Sequence, residues 1–158
     1  MQIRRATNRD IPGIQQVAEA SWRSAYDGVL RPETVESVLA EFYSEDSLLH
    51  SLKHQAVVFL LAEVNGQVVG FVQALPKPGK NDYELTRLYI LPDHQRQGIG
   101  RKLEQAVEQS LEDRRLWVLV EQDNQGAIAF FKSLGFVGHR TLELPLFGET
   151  PLFVEMSK

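Results

Sequence analysis

Leu88-Tyr89-Ile90-Leu91-Pro92-Asp93-His94-Gln95-Arg96-Gln97-Gly98-Ile99-Gly100-Arg101-Lys102-Leu103 is the stretch that decides the reading of this chain. Tyr83 to Leu91 reads as a strand closed by Pro92. From Gly98 to Leu111, the apolar residues Leu103, Ala106, Val107 and Leu111 follow helical spacing. The loop between them carries glycines at 98 and 100, which let successive backbone N–H groups converge without Cβ obstruction. The helix that begins there adds the positive end of its dipole. Arg96, Arg101 and Lys102 add full charges. The combination predicts an anion site suited to a pyrophosphate.

Two familiar phosphate motifs fit poorly. A P-loop needs Ser or Thr after its Lys, where this chain has Leu103. A dinucleotide fingerprint needs a third glycine, again Leu103 here, and a tight turn after the strand. Six residues separate Leu91 from Gly98, although Glu121 stands near the place of that fingerprint's acidic residue. A helix start with no ligand is the plain alternative.

Working outward, Gln2 to Ala6 reads as a strand, and Thr7 or Asn8 as the cap of a helix carrying Ile11, Ile14, Val17, Ala18, Trp22 and Ala25. Pro32 starts a second helix with Val35, Val38, Leu39 and Phe42 on one face, and Ser47 to Lys53 reads as a further helical turn. Val57 to Val64 and Gln67 to Leu75 form a hairpin about Asn65-Gly66. Leu116 to Val120 is a nearly unbroken apolar run, as expected of a strand buried on both faces. Asn124 caps a helix that ends at Gly135, and Phe136 to Leu146 and Pro151 to Met156 close the chain as paired strands. The order β-α-α-β-β-β-α-β-α-β-β predicts an α/β fold with a mixed sheet.

Composition bounds the class. The 158 residues, taken as one domain over 1–158, carry 17 Lys+Arg against 21 Asp+Glu, a net charge of −4. With 43% hydrophobic and 24% charged residues, the chain has the makings of an ordinary globular core. A mildly acidic chain is a poor candidate for non-specific nucleic-acid binding. No apolar run approaches the roughly 18 residues of a membrane span, and the first residues predict no signal peptide. The sequence contains no Cys, which excludes thiolate metal sites and a cysteine nucleophile and suits a cytoplasmic setting. His50 and His54 have the i, i+4 spacing of a metal pair but no evident third ligand, so no metal is expected.

Gln95-x-x-Gly98-x-Gly100 after a strand ending Leu88-Tyr89-Ile90-Leu91-Pro92 resembles the acetyl-CoA motif of the GNAT superfamily of N-acetyltransferases. A second segment, Asn124-x-x-Ala127-x-x-Phe130-Phe131-x-x-x-Gly135-Phe136, lies 29 positions on from Gln95 to Asn124 and resembles that family's Asn-helix-Gly-Phe segment. The element order resembles the family's fold over essentially the whole chain.

The resemblance implies a cosubstrate, acetyl-CoA, and several roles. Amides from Gln95, Arg96, Gln97, Gly98, Ile99 and Gly100, with Arg101 beside them, would hold the pyrophosphate. Leu88, Tyr89 and Ile90 would pair with the pantetheine arm in a cleft beside the strand Leu116 to Val120, with Asn124 bonding it from the far side. Asn124 reads equally well as a plain helix cap. Acyl transfer would be direct, in a ternary complex, to a small-molecule or peptide amine. Glu84, 11 positions before Gln95, stands where some members carry a catalytic glutamate. Strict alternation would put it on the face of Thr86, Leu88 and Ile90. An ion pair with Arg87 or Lys80 is the structural alternative. Backbone N–H groups at a bulge near Tyr89 would receive the oxyanion.

One departure concerns the leaving thiolate. Many members have a Tyr where this chain has Phe131, which cannot donate a proton. A thiol pKa near 8.5 leaves thiolate about 2 kcal/mol uphill at pH 7, so a slower enzyme is expected rather than a dead one. Ser133, Tyr89 or water would have to substitute. On the acceptor side, Trp22 and Tyr26 share a helix face and could meet a cationic amine, although core packing accounts for both equally simply. Glu33, Glu36, Glu41, Glu45 and Asp46 could attract a polyamine or form a solvated face. Many relatives dimerise through sheet edges. The readings carried forward are an N-acetyltransferase, a non-catalytic acyl-CoA-binding module, and a Rossmann-type nucleotide binder.

Overall fold

The computed structural model describes residues 1–158. Seven strands form one mixed sheet: β1 (Gln2–Arg5), β2 (Val58–Val64), β3 (Gln67–Pro76), β4 (Tyr83–Ile90), β5 (Leu116–Glu121), β6 (Val137–Glu143) and β7 (Leu152–Ser157). Their spatial order is β1-β2-β3-β4-β5-β7-β6. All neighbours are antiparallel except β4 and β5, which run parallel. Helices α1 (Ile11–Ala25), α2 (Pro32–Phe42) and α3 (Glu45–Lys53) cover one face, while α4 (Ile99–Ser110) and α5 (Gln125–Ser133) cover the other.

Local chemistry explains the boundaries. The β2–β3 turn uses Asn65 and Gly66 at φ +50° and +79°, the left-handed pair that a two-residue hairpin requires. Pro32 opens α2, where its missing N–H is harmless. The further helical turn expected over Ser47–Lys53 is a full nine-residue helix, because the Ser44 hydroxyl accepts the Ser47 N–H at 3.1 Å and starts it earlier. A core lies on each face: Leu103, Val107, Leu116, Val118 and Met156 on one side, and Ile14, Val17, Trp22, Leu61 and Phe71 on the other.

The start of α1 is tied to the sheet by charge. Asp10 accepts from Arg4 at 2.8 and 2.9 Å, and Arg4 also reaches Glu63 at 3.1 Å. The Arg4 guanidinium holds the Asp10 carboxyl below the usual carboxylate range. A depressed folded pKa stabilises above the unfolded value, about 3.9, and the gain is lost as pH falls through the folded value. The Asp10→Asn variant is therefore expected to lose thermal stability at neutral pH and to show a flatter acid limb in a plot of Tm against pH.

Candidate active site

β4 and β5 pair through three residue pairs and then separate. The ladder runs Tyr83↔Leu116, Glu84↔Trp117 and Leu85↔Val118 and stops there. Beyond it β5 remains paired to β7 as far as Glu121↔Phe153, and β4 remains paired to β3 as far as Gly70↔Ile90. The strands thus fork toward their C-terminal ends. The mouth is held from the β4 side: the Ile90 carbonyl accepts from the Ser21 hydroxyl and from Gln95 Nε2, both at 3.1 Å.

The cause of the fork lies one residue beyond the ladder. The β3–β4 register passes from Ala74↔Leu85 to Gln73↔Arg87, so Thr86 is an extra residue, a β-bulge. The expected bulge near Tyr89 is thus found three positions earlier. A bulge resets side-chain alternation. Leu88 and Ile90 face α4 and α5 with Tyr83 and Leu85, whereas Arg87 and Tyr89 face α1–α3. Glu84 lies on the face of Arg87 and Tyr89, opposite to Leu88 and Ile90, contrary to the simple alternation of the sequence reading. The Leu91 amide bonds to Val69 at 2.8 Å, so alternation sends the Tyr89 amide to β3 as well and turns those of Leu88 and Ile90 toward the open side.

At the mouth, the backbone N–H groups from Arg96 to Arg101 have no acceptor in the protein; the first helical bond at this end runs from the Lys102 amide to Gly98 O at 3.1 Å. The Gln95 amide is outside this run, since it bonds Pro92 O at 3.3 Å. Gly98 makes the run possible. Its φ is +83°, and a Cβ there would meet no atom within 4 Å, so the cradle is open and unblocked. Gly100 serves packing, because a Cβ would come within 3.1 Å of the Phe130 ring. Arg96, at φ +61°, turns the chain into the cradle, and Arg101 reaches Ser133 Oγ at 3.3 Å. Consecutive free amides at a helix start, flanked by cations, suit the diphosphate of coenzyme A.

Asn124 caps α5 through Oδ1, which accepts the Ala127 N–H at 3.1 Å, while its Nδ2 has no partner. Phe131 is buried between Phe130 and Phe136, at ring distances of 5.1 and 5.2 Å, and supplies hydrocarbon only. Ser133 Oγ donates to Phe130 O at 2.6 Å and accepts from Arg101.

On the α1–α3 face, Trp22 and Tyr26 are buried in the core and stack at 4.4 Å. Tyr43 and Tyr89, which the sequence reading did not place here, join them: Trp22 Nε1 donates to the Tyr43 hydroxyl at 3.3 Å, and the Tyr89 ring lies 6.0 Å from Trp22. Burial pushes the Tyr26 hydroxyl up to about 12, helped by Tyr43 and by the Glu121 carboxylate. Arg87 lies over the Tyr43 ring at 4.7 Å and donates to Gln73 Oε1 at 2.7 Å. Glu84 lies 3.6 Å from Lys77, not from Arg87 or Lys80, and Lys77 also reaches Glu155 at 3.4 Å.

A cavity of about 380 Å³ opens beside this cluster, between Val29 and Leu30 after α1, the end of β5 with Glu121, and Glu149–Leu152 before β7. Its roof is a tight hairpin with Phe147 and Gly148 in left-handed conformation, tied to α2 by Arg31–Glu149 at 3.6 Å and a Phe42–Phe147 contact at 5.9 Å. Glu33, Glu41 and Glu45 are solvated, and Glu36 pairs with Arg23. No helix is long and apolar enough to cross a membrane, and no group of three His, Cys, Asp or Glu side chains converges.

The chain is similar to known proteins along most of its length. It is 27% identical over 143 residues to a spermidine N(1)-acetyltransferase of Thermoplasma acidophilum, covering 86% of this chain and 88% of that one. It is 33% identical over 97 residues to the ribosomal protein bS18 alanine N-acetyltransferase of Escherichia coli, covering 60% and 64%. The fold superposes with TM-score 0.83 on the PaiA N-acetyltransferase of Thermoplasma acidophilum solved in complex with coenzyme A, at 24% identity and covering 98% and 96%. The model of the acetyltransferase (GNAT) family matches residues 15–136, and the chain belongs to that family of N-acetyltransferases.

Proposed function

We propose that this enzyme transfers the acetyl group of acetyl-CoA to a primary amine of a small cationic, polyamine-like molecule, in a ternary complex. The observation that carries the reading is the fork: a parallel strand pair that stops after three residue pairs and opens onto free helix-start amides. The amides of Arg96, Gln97, Gly98, Ile99, Gly100 and Arg101 hold the diphosphate, with Gln95 bracing the mouth through Ile90 O. Leu88 and Ile90 present backbone to the pantetheine arm, and Asn124 Nδ2 meets it from the β5 side. Bound there, acetyl-CoA supplies an activated thioester carbonyl.

The acceptor enters from the opposite face, through the cavity beside Tyr26. That cavity carries Glu121, Asp123 and Glu149 and no Lys, Arg or His in its lining, which favours a cationic guest. The similarity to a spermidine N(1)-acetyltransferase supports the same substrate class.

Thiol release from acetyl-CoA with a panel of diamines, polyamines and amino-terminal peptides tests the reading. Turnover with alkyl polyamines is expected; turnover with peptides alone would refute the substrate class. Binding of acetyl-CoA without thiol release from any amine would favour the acyl-CoA-binding module, which the hydrocarbon at Phe131 keeps in view. The Asn124→Asp variant separates cap from ligand. It keeps an oxygen for Ala127 and loses the Nδ2 donor, so Tm is expected to change little while acetyl-CoA affinity falls about tenfold, the worth of one hydrogen bond.

A further inference from the structure

We propose that Glu121 is the general base of this reaction, taking the proton from the arriving ammonium. The inference rests on the acetyl-transfer reading above. Three carboxylates lie on the α1–α3 face near the fork, and their surroundings differ: Glu155, opposite Leu119, is held by Lys77 and Arg140. Glu84 sits on the closed side, within the last paired residues, with Lys77 at 3.6 Å. It already has a cation, so an arriving ammonium meets a carboxylate whose charge is engaged. Glu121 is the last residue of β5, on the open side, and alternation from Trp117 through Leu119 turns it to the same face. It is 4% exposed and borders the cavity through which the acceptor enters.

No cation neutralises Glu121. Its Oε2 accepts the Asp123 N–H at 2.8 Å. The ionisable groups facing it are Tyr26 at the end of α1, Asp123 in the following turn and Glu149 in the β6–β7 hairpin. Arg31, at the start of α2, pairs with Glu149. Burial raises the carboxyl above its ordinary value, against the pull of the Asp123 N–H bond, which makes it a better proton acceptor than a solvated glutamate. A strand-terminal carboxylate buried without a counter-ion is costly unless it has a task. An ammonium in the cavity supplies the missing counter-charge.

The step balances as follows. Glu121 takes one proton from R–NH3+, leaving a neutral amine and a carboxylic acid. The nitrogen lone pair forms the C–N bond at the thioester carbonyl, and the C=O pair moves to oxygen. When the carbonyl re-forms, the C–S bond breaks and its pair goes to sulfur. The second nitrogen proton passes to that thiolate, and Glu121 releases its own proton to water.

The test compares the wild type with Glu121→Gln and Glu121→Asp, using 1,4-diaminobutane and spermidine as acceptors, from pH 6 to 10. The Gln amide oxygen can still accept the Asp123 N–H, so the fold is retained. For Glu121→Gln, kcat is expected to fall about 10²-fold near neutral pH. The deficit should shrink toward pH 10, where the amine deprotonates unaided, with acetyl-CoA affinity measured calorimetrically unchanged. Glu121→Asp should keep the pH profile at reduced kcat. A loss uniform in pH, or no loss, would overturn the proposal, as would a Glu84→Gln variant that alone reproduces the pH-dependent deficit. If the wild type binds acetyl-CoA but acetylates neither amine, the polyamine reading of the acceptor fails and takes this proposal with it.

Discussion

Replacing Gly98 by aspartate is expected to weaken acetyl-CoA binding by about 10²- to 10³-fold, measured calorimetrically or from the shift in Tm with added ligand. Two costs combine. Gly98 sits at φ +83°, where a residue with a Cβ loses about 1–2 kcal/mol. The new carboxylate also enters a cradle of free amides built for an anion; at about 5 Å and a surface dielectric near 20, each like-charge contact costs about 3 kcal/mol. Allowing for screening, the sum reaches about 3–4 kcal/mol, the stated loss in affinity. Gly98→Ala separates the terms: a Cβ there meets no atom within 4 Å, so the backbone cost alone remains, about tenfold. Unaltered affinity in Gly98→Asp would refute the cradle as the diphosphate site.

Truncating Leu103 to alanine is expected to cost about 2–5 kcal/mol and to lower Tm by about 5–15 °C. Leu103 is fully buried at the centre of the face formed by α4 and the sheet. It reaches across to β3 where Gly70 leaves room: a Cβ on Gly70 would lie 3.5 Å from Leu103 Cδ1 and 2.6 Å from Ile90 Cδ1. The same packing therefore seats the helix whose first amides form the cradle and the strand that forms one arm of the fork. Acetyl-CoA added to the variant should recover part of the lost Tm, because ligand bound to the folded state stabilises it. A Tm within about 2 °C of the wild type would show that Leu103 does not anchor α4.

Much of this molecule was legible before any coordinates, wherever the signal was local. Asn65-Gly66 demanded a hairpin turn, Gly98 a helix start with free amides, Asn124 a cap and Pro92 a strand end. Each rests on steric or hydrogen-bonding constraints within about four residues. The run Leu116–Val120 was readable as a strand buried on both faces because apolar continuity is also a local property. The sequence reading starts the helical turn ending at Lys53 from Ser47, whereas the Ser44 cap starts α3 at Glu45.

What stayed hidden depended on pairing between distant segments. No residue type announces the bulge at Thr86; it follows from how Gln73 and Ala74 register against β4, and it moves Glu84 to the other face. In the sequence Glu121 ends an apolar strand and matches only the acidic position of a dinucleotide fingerprint. Its meeting with Tyr26, 95 positions earlier, and with the hairpin carrying Glu149 is made by the sheet order. By itself, then, the sequence determined most of the elements, the run of unbonded amides at the start of α4 and the motifs of the family, because short-range sterics, capping and local spacing decide those. Tertiary structure alone decided where the strands part, which face each carboxylate takes and which of them lacks a cation, because these depend on register and burial, which exist only once remote strands are paired.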